Sequence, residues 1–127
     1  QFAIVERSGI DQILVDDRTI EEFDWSADWI VDGLLGTGLC RPVEGLLRRA
    51  IESINGSPAK VLALDLPSGL DADAGIPLGI ATRADLTVTF VAPKIGFAAP
   101  GASAFTGEVA VAEIGAPRVL LAAFDAS

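Results

Sequence analysis

The 127-residue chain contains no histidine, no methionine, no tyrosine and a single cysteine. Without histidine, a Ser-His-Asp triad, a Cys-His pair and histidine-ligated zinc are all excluded. Acid–base work therefore falls to carboxylates, to Lys94 or to the thiol of Cys40. One cysteine permits no internal disulfide, and the cytoplasm is the expected compartment. No apolar run approaches the roughly eighteen residues of a membrane span, and no signal peptide opens the chain. Basic residues are scarce as well, nine against eighteen acids, for a net charge of −9. That balance argues against nucleic acid or an anionic membrane as partner, since both demand basic patches. Gln1 is not read as a natural initiation point, and the chain is expected to be a processed product or a fragment.

Half of the residues are apolar, enough for one compact domain with a core of its own. The middle of the chain reads as a βαβ unit. The run Trp29 to Val31 suits a short buried strand. A glycine-containing loop follows, then Val43, Leu46, Leu47, Ala50, Ile51 and Ile54 form a helical stripe. Pro42 suits the first helical turn, and Asn55-Gly56 suits its end. "KVLALDLP" lacks alternation, as expected of a parallel strand covered on both faces. Two more strands are predicted within Asp85 to Pro93 and Gly107 to Gly115, with loop-like sequence between them. In the opening stretch the pattern predicts a helix end at Gly9, a short strand at Ile13 to Val15 and an acidic helical turn at Glu21 to Phe23.

In open parallel sheets, ligands bind beyond the carboxyl ends of the strands. Asp32 and Asp65 are both placed there by the predicted strands, as a shared site or as capping and turn residues. Pro67, Ser68 and Gly69 crowd further polar groups beside Asp65, which favours function at that position. The glycines of "GLLGTGLCRP", Gly36 and Gly38, can turn backbone N–H groups towards an anion at a helix start. A plain tight turn serves equally, because neither a dinucleotide fingerprint nor a Walker A loop is present. Ser68 has no base to activate it, so its hydroxyl suits a hard cation better than nucleophilic attack. Lys94 ends a strand at the same edge, as a charge partner of Asp65 or Asp32, a phosphate contact or a solvated lysine. Cys40 is read as a passive thiol, and Asp71 and Asp73 as turn and solvent-facing acids.

Taken together, "IVDGLLGTGL", "ALDLPSGLDADAG", "ADLTVTFVAPKIG" and "GEVAVAEIGAP", in that order, resemble the NAD(P)H-hydrate epimerase family, the YjeF amino-terminal domain. The likeness covers roughly Ala27 to Pro117. It implies an α/β fold, a Rossmann-like three-layer αβα sandwich with a mostly parallel sheet. Residues 1–127 would then be a single domain corresponding to the carboxyl-terminal two-thirds of the family domain. It also implies interconversion of the R and S epimers of hydrated NADH and NADPH, which carry a hydroxyl at C6 of the nicotinamide ring. By motif, Asp65 resembles the catalytic, substrate-binding acid, and Asp32 and Ser68 resemble potassium ligands. Gly36, Thr37, Gly38, Leu39, Cys40, Arg41 and Pro42 resemble the substrate-phosphate cradle, with Lys94 added as a substrate contact. The implied partners are the hydrated nucleotide, a homodimer mate and a separate dehydratase acting in sequence. The family's "G-P-G-N-N-G-G-D-G" motif, whose Asn completes the cation site, does not occur in this sequence. A non-catalytic binding or dimerisation module of the same fold is the alternative, as is a generic nucleotide-binding enzyme; retention of Asp32, Asp65 and Ser68 together favours the epimerase.

Overall fold

The computed structural model of the chain describes residues 12–113. Its centre is a four-stranded sheet in the order β1-β2-β3-β4, from Trp29–Asp32, Lys60–Leu64, Leu86–Phe90 and Glu108–Ala112. Every neighbouring pair is parallel, with Asp32 opposite Ala63, Leu64 opposite Val88 and Phe90 opposite Ala112. The chain is thus an α/β fold of the Rossmann-like kind.

The helix α1 (Gly45–Gly56) joins β1 to β2 and buries Ala50, Ile51 and Ile54. The apolar spacing of the sequence accounts for that face, although Leu47 remains exposed. The helix begins later than expected: Glu44 is its N-cap, so Pro42 precedes it rather than opening its first turn. A proline two residues ahead of the cap can still restrict the incoming chain, but it supplies no part of the helix. Asn55 does more than end α1. Its amide donates to the Ala81 carbonyl at 3.0 Å and accepts the Arg83 N–H at 2.8 Å, fastening the helix to the next crossover.

Strands in sequential order, all parallel and joined by right-handed connections, carry every crossover on one face of the sheet. The burial follows. Val61, Ala63, Thr87 and Thr89 are buried under that layer, with Ile54 and Ala84 packed against Val61 and Ala63. Alternate residues point the other way, where Trp29, Val31 and Leu64 are exposed among the described residues. Among the described residues one face of β2 is covered, and β1, expected to be a buried strand, is instead exposed at Trp29 and Val31 because those two residues face away from the helical layer. Lys60 lies over the Trp29 ring, 5.6 Å from its centroid.

Two expectations are corrected. Ile13 to Val15 forms no strand; Ile13 and Leu14 are exposed and have no strand partner among the described residues. The stretch after Lys94 is not merely loop, for it holds a 3-10 helix (Ile95–Ala98) and a short α2 (Ser103–Thr106). Small residues permit this because the chain there passes close to other backbone: a Cβ on Gly96 would lie 2.5 Å from Gly75 N. The turn near Glu21 does form, with Asp16 as its cap through Arg18 N and Thr19 N. The helix end placed at Gly9 lies outside the described residues.

Candidate functional site

Asp32 is the last residue of β1, and Asp65 stands one residue beyond β2. The register places both at the carboxyl edge of neighbouring strands. Each carboxylate heads its own cluster.

Asp32 is 1% exposed and sits under the loop after β2. Its Oδ1 accepts the Ser68 hydroxyl at 2.6 Å and its Oδ2 accepts the Ser68 N–H at 2.8 Å. The Leu34 N–H reaches Oδ1 at 3.3 Å, and the Leu35 N–H donates to Ser68 Oγ at 2.9 Å. Two residues 36 positions apart are thereby locked together. No ion pair among the described residues involves Asp32.

Asp65 has a left-handed backbone, φ 71°, which ends the strand alternation and turns its carboxyl towards β3. Its N–H donates to the Val88 carbonyl at 2.6 Å. Oδ1 accepts Lys94 Nζ at 2.7 Å, the Thr89 hydroxyl at 3.1 Å and the Phe90 N–H at 3.3 Å. Val91, at the carboxyl end of the adjacent strand, also has positive φ, 70°, a rare state for a β-branched residue. Strained non-glycine backbone at two adjacent strand ends costs about 1–3 kcal/mol per residue and is characteristic of functional edges. Lys94 is placed by the 3-10 helix that it caps, and that helix is anchored by Gly96 N–H donating to the Ala72 carbonyl at 2.7 Å.

Burial raises the Asp65 carboxyl and is its largest single influence. The Lys94 hydrogen bond, the Phe90 and Thr89 donors and the Lys94 charge together outweigh it, holding Asp65 below its ordinary 3.8. A depressed carboxylate contributes stability that is complete above the unfolded value near pH 4. That contribution is lost as pH falls through the lower folded value. Urea midpoints measured from pH 6 down to pH 2.5 are expected to fall further in the wild type than in Asp65→Asn. Parallel curves would show that the pair contributes nothing to acid stability.

The other predicted residues do not converge on these clusters through direct bonds. Gly36, Thr37, Gly38, Cys40, Arg41 and Pro42 are exposed and Leu39 is half-buried, in a loop that precedes α1. The loop is not the start of the helix itself, because Val43 and Glu44 intervene and Val43 N–H is taken by the Leu78 carbonyl. Neither backbone sign nor packing demands glycine at Gly36 or Gly38, where an added Cβ would meet nothing within 4 Å. Asp71 is a turn-former, as expected, accepting the Asp73 and Ala74 N–H groups. Thr89 and the backbone N–H groups of Leu34, Leu35 and Phe90 are site members that sequence reasoning missed. The only signal was Thr87 and Thr89 alternating within apolar "LTVTF", which puts hydroxyls on a buried face. A hollow of about 480 Å³ runs instead beside α1 between Asn55, Arg83 and Phe105, and holds none of these residues. Convergent polar groups, rather than volume, single out the carboxyl edge.

A family model described as "YjeF-related protein N-terminus" matches residues 3–96. The NAD(P)H-hydrate epimerase of Rhodopirellula baltica is 45% identical over 126 residues, covering 98% of this chain and 51% of that protein. The NAD(P)H-hydrate epimerase of Pirellula staleyi is 47% identical over 100 residues, 79% of this chain and 44% of that protein. The bifunctional NAD(P)H-hydrate repair enzyme Nnr of Thermofilum pendens is 46% identical over 121 residues, 92% of this chain and 23% of that protein. The chain thus spans about half, or less, of the length of these relatives. With strand-end motifs, parallel sheet and a match over most of its length in agreement, the chain belongs to the YjeF-related protein N-terminus family.

Proposed function

We propose that the protein carrying this chain interconverts the R and S epimers of hydrated NADH and NADPH, with Asp65 as the acid–base group at the reacting carbon. The observation that carries this reading is the Asp65–Lys94–Thr89 cluster beside Asp32–Ser68 at the carboxyl edge. It occurs in a chain about 45% identical to proteins named for that reaction. Epimerisation needs a hydroxyl to leave a ring carbon and return on its other face. Proton traffic at that oxygen is work for a positioned carboxyl group, contributing on the order of 10²- to 10⁴-fold.

The loop Gly36–Pro42 is assigned to the substrate phosphates. Free space at Gly36 and Gly38 and the Arg41 charge support it, since glycine there serves close approach by a ligand rather than the fold. A dehydratase acting in sequence and a homodimer mate complete the proposed partners, and the cytoplasm is the proposed compartment. No helix among the described residues is long and apolar enough to cross a membrane.

The Asp32–Ser68 cluster suits potassium in its donor chemistry. Its side-chain ligands are oxygens, one of them a buried carboxylate with no basic partner among the described residues, and a hard cation prefers such a set. Ser68 Oγ, which donates once and accepts once, keeps a lone pair for the ion. The ion would supply a fixed positive charge beside the reacting edge; Asp32 and Ser68 would hold it. Epimerisation of separated R and S hydrates by the full-length protein is the test, with potassium exchanged for tetramethylammonium. The expected result is turnover in potassium, several-fold less without it, and no potassium response in Asp32→Asn. Absence of turnover under any condition would leave the non-catalytic module as the reading.

A further inference from the structure

The carboxyl group of Asp65 is used unevenly. Three donors converge on Oδ1, whereas no hydrogen bond among the described residues ends on Oδ2. Lys94 and Asp65 are both partly covered, their side chains 21% and 25% exposed, so the pair is fixed yet open on one side. It is held from two directions: Thr89 and Phe90 of β3 fasten the carboxylate, and the 3-10 helix docked on Ala72 fastens the lysine.

We infer that Lys94 is the proton donor of the reaction proposed above, and that Asp65 works beside it as the proton acceptor; the inference rests on that functional reading. In the hydrate, the hydroxyl and the ring nitrogen share one carbon. The C–O bond breaks with its electron pair leaving on oxygen. A proton from Lys94 Nζ lets that oxygen depart as water, while the nitrogen lone pair forms a C=N iminium. Water then adds to the opposite face, the C=N pair returns to nitrogen, and the surplus proton passes to Asp65 Oδ2. Return of that one proton from the Asp65 carboxyl group to Lys94, its ion-pair partner, restores the ammonium and the carboxylate, so atoms and charge balance over the cycle. An Asp65 held ionised by its donors has no proton to give at neutral pH, but its charge faces the developing cation and its free oxygen can receive. Among the described residues, the ion-pair partner of Lys94 is Asp65 itself.

The alternative role, a lysine that contacts the substrate phosphate, makes a different kinetic signature. In the full-length protein, Lys94→Met is expected to lower kcat about 10²-fold or more, with the Kd for the hydrate, from equilibrium titration, within about threefold of wild type. Added ethylamine should restore part of that rate. Lys94→Arg, which keeps the charge but holds its proton too tightly to donate, should be as slow as Lys94→Met. A raised KM with unchanged kcat, or full activity in Lys94→Arg, overturns the assignment while leaving the epimerase reading in place. A wild type that does not turn over overturns both.

Discussion

Replacing Asp65 by asparagine in the full-length protein is expected to slow epimerisation by about 10²- to 10⁴-fold without unfolding it. Asparagine is the informative replacement because residue 65 has φ 71°, a region that Asn and Asp enter several-fold more readily than other side chains. Alanine would mix backbone strain with lost chemistry. The amide of Asn can still accept from Thr89 and Phe90 through one oxygen, so the loop keeps its anchors. What disappears is the oxygen that no donor among the described residues occupies, and with it the capacity to take a proton. The lost ion pair with Lys94 is partly exposed and contributes about 1 kcal/mol or less to stability. Rates on separated epimers, read beside thermal unfolding, check both halves of the expectation. Undiminished turnover in a folded variant would remove Asp65 from the chemistry.

Gly69→Ala should act through the fold. Gly69 has φ +89°, and an added Cβ would press into the Ile80 carbonyl oxygen and stand 3.1 Å from the Ala81 Cα. Backbone strain of about 1–2 kcal/mol adds to overpacking of about 1–3 kcal/mol, for a loss of roughly 2–5 kcal/mol. The two segments cannot simply separate, because Leu78 N–H donates to the Gly69 carbonyl and Thr82 N–H to the Ser68 carbonyl. Any shift is therefore passed to Ser68 and from there to Asp32. Urea denaturation of Gly69→Ala against Gly36→Ala is the comparison to make. Gly36 has open space around it and is expected to match wild type in stability. A Gly69 variant within about 0.5 kcal/mol of wild type, the range usual for surface changes, would show that the crowding is relieved cheaply.

The two expectations differ in what made them legible. The apolar spacing along α1 and the short runs before Asp32 and Asp65 are local patterns, and they sufficed for a βαβ unit with both acids at strand ends. The glycine of "PSG" has a left-handed φ. That it also abuts Ile80 depends on how a crossover folds back, which no window of sequence encodes. The strand expected at Ile13 to Val15, which does not form, shows the limit of the same reasoning: a brief apolar run becomes a strand only where a partner edge is available.

By itself, the sequence determined the class of fold, the placing of Asp32 and Asp65 at strand ends, and the lack of any histidine in this chain. Spacing and composition are enough for these, because each follows from the chain's own periodicity and inventory. Which groups meet was decided by the tertiary structure alone. Asp32 finds Ser68 across 36 positions, and Asp65 finds Thr89 across 24, because parallel register brings strand ends level and a left-handed residue re-aims one carboxylate. The contact of Asp65 with Lys94 arises in the same way, from a 3-10 helix seated on backbone far away in sequence. Local pattern predicts what a residue is buried with in kind; only the packed chain settles which atom receives which proton.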